Sequence, residues 1–381
     1  MTATDSPPFS PPQEPRPIAI APPTPPVLTF LILLVLCAVF AAEMVYGIGP
    51  PTSTLQPSTE TLVGFGGLSR DLVLSGDWYR IFSAPFLHGS AIHLGMNAFA
   101  LWVAGRTLER LVGHAWFAAI YAVGALAGSI GSLELNPPGI IGVGASGAIM
   151  GLFAAMLIIS MRFPSGPFRS ALRSNAIYVL IPSLLPLANA LHTQTKVDYA
   201  AHAGGAVGGA VMGLLLLTIW PRTQPTPLAK SVAVFIALAG VVALIYPLNS
   251  ILQGYDAAAF SQQLIPAEKY PKTGAEMRAR ASQLIAQYPR DPRPHFTRAA
   301  DLLDARDFTG AEREARTGLD DEYLWRSLLP SQVGDGLRTF LAIAISRDRP
   351  QEALQTARPV CLALKDGPMR RMLDERRLCR T

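Results

Sequence analysis

Residues 142–147 read Gly-Val-Gly-Ala-Ser-Gly, and residues 201–205 read Ala-His-Ala-Gly-Gly. The first stretch opens the apolar segment Ala145–Met161, and the second lies near the start of the apolar segment Tyr199–Trp220. A helix that crosses a bilayer needs about 20 mostly apolar residues, and a polar side chain inside lipid is costly enough to require a reason. These two stretches therefore predict a helical membrane fold and also the place of its chemistry.

The composition is typical of a membrane protein. Hydrophobic residues make up 50% of the 381 residues and charged residues 15%, and the mean hydropathy is +0.30. Soluble proteins carry about 25% charged residues. The net charge of +5 is modest and forms no strong basic patch, which argues against nucleic-acid binding.

The three cysteines have no metal-ligand spacing and form no C-x-x-C pair, so we expect neither a metal nor a cofactor. Cys37 lies inside an apolar run and is most simply a small hydrophobic residue. Cys361 and Cys379 can form a disulfide only in an oxidising compartment.

Seven segments are apolar over roughly the length of a membrane crossing. In chain order they are Val27–Gly47, Ile92–Leu111, Trp116–Leu135, Ala145–Met161, Ala176–His192, Tyr199–Trp220 and Ser231–Leu252. The fourth and fifth are the shortest. Residues 1–26 precede them and are rich in proline without apolar periodicity, which predicts a disordered tail.

The positive charges in the connections predict the orientation of the chain. Cationic residues lie at the end of the second segment and after the fourth and sixth, at Arg106, Arg110, Arg162, Arg169, Arg173, Arg222 and Lys230. The long first connection, Ile48–Ala91, is an exception because it holds Arg70 and Arg80. Cytoplasmic connections are enriched in Lys and Arg, so we expect the N-terminus in the cytoplasm and the C-terminal region outside. The chain is expected to be a multi-pass protein of the bacterial inner membrane.

The C-terminal region, residues 255–381, is polar and rich in Arg, and its apolar residues have helical spacing. We expect short helices at Ala275–Gln287, Pro294–Ala305 and Gly310–Gly318. The pattern fits a small soluble α-helical domain, either tetratricopeptide-like or of an unclassified kind. The predicted domains are thus the tail, a membrane core at 27–221, a linker with the seventh helix at 222–254, and this helical domain.

Ser146 and His202 are the candidate catalytic pair. A serine hydroxyl is a weak nucleophile until a base takes its proton, and histidine is the usual base at neutral pH. Segments four and six both begin on the outer side, so the two residues are expected at similar depth. Glycines that permit a close approach of helices flank both residues, at Gly144, Gly147, Gly205 and Gly209. Taken singly, each residue also fits a packing role, because small residues and carbonyl-bonded histidines are common in membrane helices.

His93 and Asn97 lie four residues apart, on one face of the second segment. Side-chain donors on one face suit an oxyanion hole, which stabilises a tetrahedral intermediate by hydrogen bonds. The alternative role is a polar bond between helices.

Several motifs together resemble the rhomboid family over residues 78–209. They are Trp-Tyr-Arg at 78–80, Phe-Leu-His at 86–88, His93-x-x-x-Asn97, Gly105-x-x-x-Glu109-x-x-x-Gly113, Gly-Ala-Ser-Gly at 144–147, and Asp198-x-x-Ala-His202-x-x-Gly205-x-x-x-Gly209. The resemblance implies an all-α membrane protein, with a six-helix bundle followed here by a seventh transmembrane helix. It also implies an intramembrane serine endopeptidase that cleaves single-span transmembrane proteins near the outer face.

The resemblance assigns roles to the candidate residues. Ser146 would be the nucleophile and His202 the base, while His93, Asn97 and the Ser146 backbone N–H would hold the oxyanion. Segment Ala176–His192 would be the lateral gate, and residues 78–90 the outer loop. One departure is Met150, which occupies a position where an aromatic residue often stacks on the catalytic histidine.

Other polar residues near these motifs have simpler expected roles. Asp198 is most simply the N-cap of the sixth helix. His88 is expected to anchor the outer loop by hydrogen bonding, and Glu109 to bind backbone groups at the inner end of its helix.

Two other functions compete with proteolysis. A catalytically inactive rhomboid-fold protein would bind or escort transmembrane clients, although the intact Ser146 and His202 argue against it. A small transporter is disfavoured because the segments hold few ionisable residues and no repeated half. The C-terminal domain is hypothesised to bind a protein partner outside the membrane.

Overall fold

The structure is a computed structural model that describes residues 25–185, 197–246, 248–326 and 328–379. Within these ranges the chain is mostly helical, and β-pairing is limited to two isolated bridges. The described residues form two compact units. The first unit holds the described residues up to Tyr46, Thr52–Pro57, and those from Gly66 to Leu248. The second holds Gly47–Pro51, Ser58–Phe65 and the described residues from Asn249 onward.

The described α-helices are numbered here in chain order. They begin with α1 (Val27–Val45), α2 (Thr59–Gly64), α3 (Arg70–Leu74), α4 (Arg80–Ser83), α5 (Ala91–Val112), α6 (His114–Leu135), α7 (Ser146–Ile159), α8 (Pro167–Leu184), α9 (Tyr199–Ile219) and α10 (Lys230–Ile245). They continue with α11 (Leu248–Ser261), α12 (Gly274–Gln287), α13 (Pro292–Asp304), α14 (Phe308–Leu319), α15 (Glu322–Trp325), α16 (Ser331–Ile345), α17 (Pro350–Ala363) and α18 (Pro368–Glu375). Short 3₁₀-helices lie at Ala84–Phe86, Ser160–Arg162 and Ala267–Lys269.

Several helices are suited to a membrane. By length and composition, α1, α6, α9 and the segment Lys230–Ser261 are long and apolar enough to cross one, and Ser146–Arg162 is a shorter apolar helix. Helix α5 is also long, but it carries Arg106, Glu109 and Arg110 in its C-terminal half. The expectation of several membrane helices is confirmed, while the count of seven crossings stays a prediction.

The fifth apolar segment differs from its predicted bounds. Helix α8 begins at Pro167 rather than at Ala176, so Arg169 and Arg173 lie in its first two turns and not in a connection. Proline at the first helical turn is favourable and Arg is a good helix former, so a polar first half does not prevent the helix. The predicted end at His192 and residues 1–24 of the predicted tail, residues 1–26, lie outside the described residues.

Helix α7 forms the centre of the first unit, and 11 of its 14 residues are buried. Glycines let α6 and α9 pack against it at backbone distance. A Cβ atom at Gly205 would overlap the carbonyl group of Gly147, and one at Gly209 would overlap that of Gly151. Larger residues at 205 or 209 would therefore force α9 away from α7.

Glu109 joins the end of α5 to the beginning of α1. The backbone N–H groups of Leu28 and Thr29 donate to its carboxylate at 2.8 and 2.9 Å, and the Thr29 hydroxyl donates to it as well. The first N–H groups of a helix have no partner within the helix, so this buried carboxylate satisfies them. Glu109 therefore binds backbone groups as expected, while its place at the inner face stays a prediction.

The predicted outer loop, residues 78–90, is well bonded to the rest of the first unit. Arg80, which is buried, donates to the carbonyl oxygen of Gly67 at 3.1 Å and forms an ion pair with Asp77 at 2.9 Å. Ser83 donates to the carbonyl oxygen of Gly66 at 2.7 Å. The loop thereby has a defined shape next to α5.

The second unit is a set of consecutive helices around a core that includes Trp325 and Leu337. Helices α12, α13 and α14 match the three predicted helices to within two residues at each end. Cys361 and Cys379 form a disulfide, with their Cα atoms 5.5 Å apart. The tetratricopeptide-like character of this unit stays a prediction.

Part of the first connection belongs to this second unit. Helix α2 lies in it, and the Phe65 ring makes an edge-to-face contact with Tyr255 of α11 at 5.4 Å. Gly64 lies against Ala258, and Ser58 donates to the carbonyl oxygen of Ile48 at 2.5 Å.

Candidate active site

The turn before α7 places Ser146 at the first position of that helix. Gly144 has φ +123°, a conformation that only glycine adopts readily. A Cβ atom at Gly144 would lie 2.8 Å from Cε1 and Nε2 of His93 and 3.5 Å from Nδ2 of Asn97. The glycine therefore lets both predicted oxyanion residues approach the backbone just before Ser146.

His202 lies in the first turn of α9, whose N-cap is Asp198. The Asp198 carboxylate accepts from the Ala201 N–H at 2.8 Å, from Asn136 at 2.9 Å and from the Ser132 hydroxyl at 2.6 Å. The N-cap role of Asp198 is confirmed, and the carboxylate makes no hydrogen bond to the His202 ring in the described residues.

A backbone carbonyl group orients His202 instead. Nδ1 of His202 lies 2.7 Å from the carbonyl oxygen of Ser183, near the end of α8. Since a carbonyl oxygen can only accept, Nδ1 must carry the hydrogen, and a neutral ring then has Nε2 free as a base. This contact could not be predicted from the sequence, because a backbone acceptor has no side-chain signature.

An aromatic ring does contact His202, but from an unexpected position. Tyr199, one turn earlier on α9, meets the imidazole nearly edge-on, with ring centroids 6.3 Å apart. Its hydroxyl is buried and has no hydrogen-bond partner among the described residues. Met150, on α7, is buried in the hydrophobic core of the first unit. The spacing of three residues between Tyr199 and His202 was a usable signal.

The structure brings the helices of Ser146 and His202 together. The carbonyl oxygen of Ala201 lies 3.2 Å from the Cβ position of Gly147, and Gly205 contacts Gly147 from the next turn of α9. Ser146 and His202 are the immediate neighbours of these contact residues. In the described part of the chain the Ser146 hydroxyl makes no hydrogen bond, so a Ser–His bond is not formed in this structure.

Asn97 and His93 adjoin the outer loop through His88. Nδ2 of Asn97 lies 3.1 Å from Nε2 of His88, and the His88 and His93 ring centroids are 5.2 Å apart. Burial, together with the nearby His93, lowers the pKa of His88 to about 3. His88 is therefore neutral at physiological pH and suits an anchoring role rather than proton transfer.

Glu43 is a residue that sequence reasoning missed. It lies near the end of α1, is fully buried, and its carboxyl oxygens are 3.2 and 3.4 Å from the His88 backbone nitrogen. A lone carboxylate in an apolar segment was the signal that could have identified it.

A small cavity adjoins Ser146. Its volume is about 30 Å³, and polar groups from Ser129, Ser132 and Asp198 line it together with Ser146. A water molecule needs roughly 10–15 Å³ of such space and two to four polar partners. The cavity therefore has room for about two water molecules.

Comparison with known proteins places these features in a family. The family model described as Rhomboid domain matches residues 75–219. The rhomboid protease AarA of Providencia stuartii is 32% identical over 212 residues, which cover 50% of this chain and 73% of AarA. This chain belongs to the rhomboid family. The residues that the family model matches include the catalytic and oxyanion candidates, whereas Glu43 and the second unit lie outside residues 75–219.

Two further relatives support the same family. The rhomboid protease GluP of Bacillus subtilis is 34% identical over 161 residues, covering 41% of this chain and 30% of GluP. The putative rhomboid protease YdcA of the same organism is 31% identical over 144 residues, covering 38% of this chain and 69% of YdcA. The aligned part thus spans less than a third of GluP, and the likeness concerns the rhomboid domain.

Proposed function

We propose that this rhomboid protein is an intramembrane serine endopeptidase that cleaves single-span membrane proteins, with Ser146 as nucleophile and His202 as general base. The observation that carries the proposal is the contact of Gly147 with Gly205 and Ala201, which sets the helices of Ser146 and His202 side by side. The bond from His202 Nδ1 to the Ser183 carbonyl group supports it, because it directs the basic Nε2 away from α8.

Each step of the reaction has a group to perform it. Nε2 of His202 takes the hydroxyl proton as Oγ of Ser146 attacks the peptide carbonyl carbon, and the oxyanion receives hydrogen bonds from His93, Asn97 and the Ser146 N–H. His202 then protonates the leaving amine as the C–N bond breaks, which leaves an acyl-enzyme. A water molecule then attacks the ester carbon as His202 takes its proton, and His202 returns that proton to Oγ of Ser146 as the ester C–O bond breaks. The cavity beside Ser146 is a suitable source of that water.

The substrate must offer an extended peptide bond, because the backbone groups of a membrane helix are already paired. Substrates with small or helix-breaking residues near the cut are therefore favoured. Helix α8, whose end holds His202, is the proposed lateral gate. We place the N-terminus in the cytoplasm and the second unit outside. The Cys361–Cys379 disulfide suits that orientation, since such bonds persist in oxidising compartments.

The test is cleavage of a single-span model substrate in proteoliposomes. Ser146→Ala and His202→Ala are expected to lower kcat by about a thousandfold or more. Ser160→Ala, a buried serine just past the C-terminal end of α7, is the matched control and keeps wild-type cleavage. Equal cleavage by wild type and Ser146→Ala would refute the proposal.

Labelling distinguishes the protease from an inactive relative that binds or escorts clients. A fluorophosphonate probe should label the wild type at Ser146 and leave Ser146→Ala unlabelled. Client binding without labelling or cleavage would favour the escort function.

We also propose that the second unit binds a protein partner outside the membrane. Its helix pairs are typical of peptide-binding surfaces, and α2 of the first connection is part of the unit. Deleting residues 255–381 should narrow the range of cleaved substrates while Ser146 still reacts with the probe. An unchanged range and unchanged complexes would contradict this proposal.

A further inference from the structure

Glu43 is a buried carboxyl group with no part in the proposed reaction. It is fully buried in α1, and its only hydrogen-bond donor among the described residues is the His88 backbone N–H, at 3.2 and 3.4 Å from the two oxygens. Carboxyl groups in membrane helices are costly, and they are retained where they have a partner and a function. The bond joins α1 to the outer loop directly before α5.

His88 continues the connection toward the active site. Its ring is fully buried, and Nε2 lies 3.1 Å from Nδ2 of Asn97. A neutral imidazole can accept one hydrogen of that amide group, and the second hydrogen remains for another acceptor. Nδ2 of Asn97 also lies 3.5 Å from the Cβ position of Gly144, two residues before Ser146.

We propose that Glu43 is a positioning residue for the oxyanion site: it holds the His88 backbone, and the His88 ring in turn orients the Asn97 amide group. The inference rests on the proposed function, because the orientation of Asn97 affects the rate only if an oxyanion forms beside it. Glu43 lies outside the segment that matches the family model, residues 75–219. The proposed role of Glu43 therefore rests on the contacts of this chain alone.

The first test measures kcat and KM for Glu43→Gln and Glu43→Leu in proteoliposomes. Gln keeps an oxygen that accepts from the His88 N–H, so its kcat should stay within about threefold of wild type. Leu has a similar size without an acceptor, and its kcat should fall about tenfold to a hundredfold, with KM unchanged, since loss of an oxyanion donor costs about a hundredfold or more.

A double variant tests whether Glu43 acts through Asn97. In an Asn97→Ala background, Glu43→Leu should cause no further loss of kcat. If Glu43→Leu lowers kcat equally in both backgrounds, or acts on KM alone, the inference is overturned.

A second readout does not require cleavage. In protein labelled with ¹⁵N-histidine, Glu43→Leu should shift the His88 Nε2 resonance, and Glu43→Gln should not. Leu36→Ala is the control, because it removes a fully buried side chain from the same helix and should lower the unfolding midpoint without moving that resonance. An unmoved resonance in Glu43→Leu overturns the inference. If the resonance shifts in Glu43→Leu but the wild-type protein cleaves no substrate, the link from Glu43 to Asn97 is supported and the proposed function is refuted instead.

Discussion

Replacing Gly144 by alanine should lower both kcat and the stability of the protein, whereas replacing Gly139 by alanine should lower the stability alone. Gly144 has φ +123°, and its Cα faces the His93 ring. Gly139, in the same connection, also has a positive φ, of +82°, but no atom lies within 4 Å of its Cβ position. Comparing alanine variants of the two glycines therefore distinguishes the effect of backbone strain from the effect of displacing His93, a proposed oxyanion residue.

The expected magnitudes follow from these two environments. An alanine at either position is held in a glycine-favoured conformation, which costs about 1–3 kcal/mol of folding free energy. Only at Gly144 does the new methyl group meet the His93 ring, at 2.8 Å. The ring must retreat by about 0.6 Å to reach the 3.4 Å at which ordinary contact begins. A displacement of about 1 Å in a catalytic group can cost about a hundredfold in rate, so we expect kcat to fall by roughly tenfold or more.

The assay pairs proteoliposome cleavage with thermal unfolding of Gly144→Ala and Gly139→Ala. Both variants should unfold at lower temperature than wild type, and only Gly144→Ala should lose kcat. If Gly144→Ala retains wild-type kcat while it is destabilised as much as Gly139→Ala, the placement of His93 beside the catalytic turn has no part in catalysis. The reasoning from the Gly144 contact would then be wrong.

Three further predictions concern other contacts of the two units. Tyr199→Leu should lower kcat about tenfold by removing the ring beside His202, while Tyr199→Phe should keep it, because the hydroxyl has no partner in the described residues. Because burial lowers the pKa of His88 from 6.5 to about 3, its contribution to stability is present above pH 6.5 and is lost as the pH falls toward 3. In chemical unfolding, the free energy of unfolding of His88→Asn should therefore depend less on pH over that range than that of wild type. An identical pH dependence would contradict the assignment. Non-reducing mass spectrometry should find Cys361 and Cys379 bridged, and Cys361→Ser should destabilise the second unit by about 3 kcal/mol, as expected for a loop with a sequence separation of 18.

Much of the first unit could be predicted from apolar length alone. Helices α6 and α9 lie within two residues of their predicted bounds, because a continuous apolar run leaves few other structures in lipid. The apolar pattern predicts too late a start for helix α8, since the first turns of that helix contain Arg169 and Arg173. An apolar window cannot identify helical turns whose side chains are charged.

The candidate site was predictable to the extent that it consists of polar side chains in apolar segments. Ser146, His202 and Asn97 have that property, and so does Glu43, which was overlooked because it stands near the end of an otherwise ordinary span. The Ser183 carbonyl group could not have been found in this way. Any residue at position 183 supplies the same acceptor, so only the path of α8 determines the contact.

The contacts of the site separate into two groups that share no hydrogen bond in the described residues. The proposed base, His202, is held from α8 through the Ser183 carbonyl group and is contacted by Tyr199. The proposed oxyanion residue Asn97 is held from α1 and the outer loop through Glu43 and His88. Since α8 is the proposed gate, its opening would disturb the orientation of His202 and leave Asn97 in place. On this proposal, the hydrogen bond from the His202 ring to the Ser183 carbonyl oxygen links substrate entry to the readiness of the base, whereas no hydrogen bond among the described residues joins α8 to Asn97.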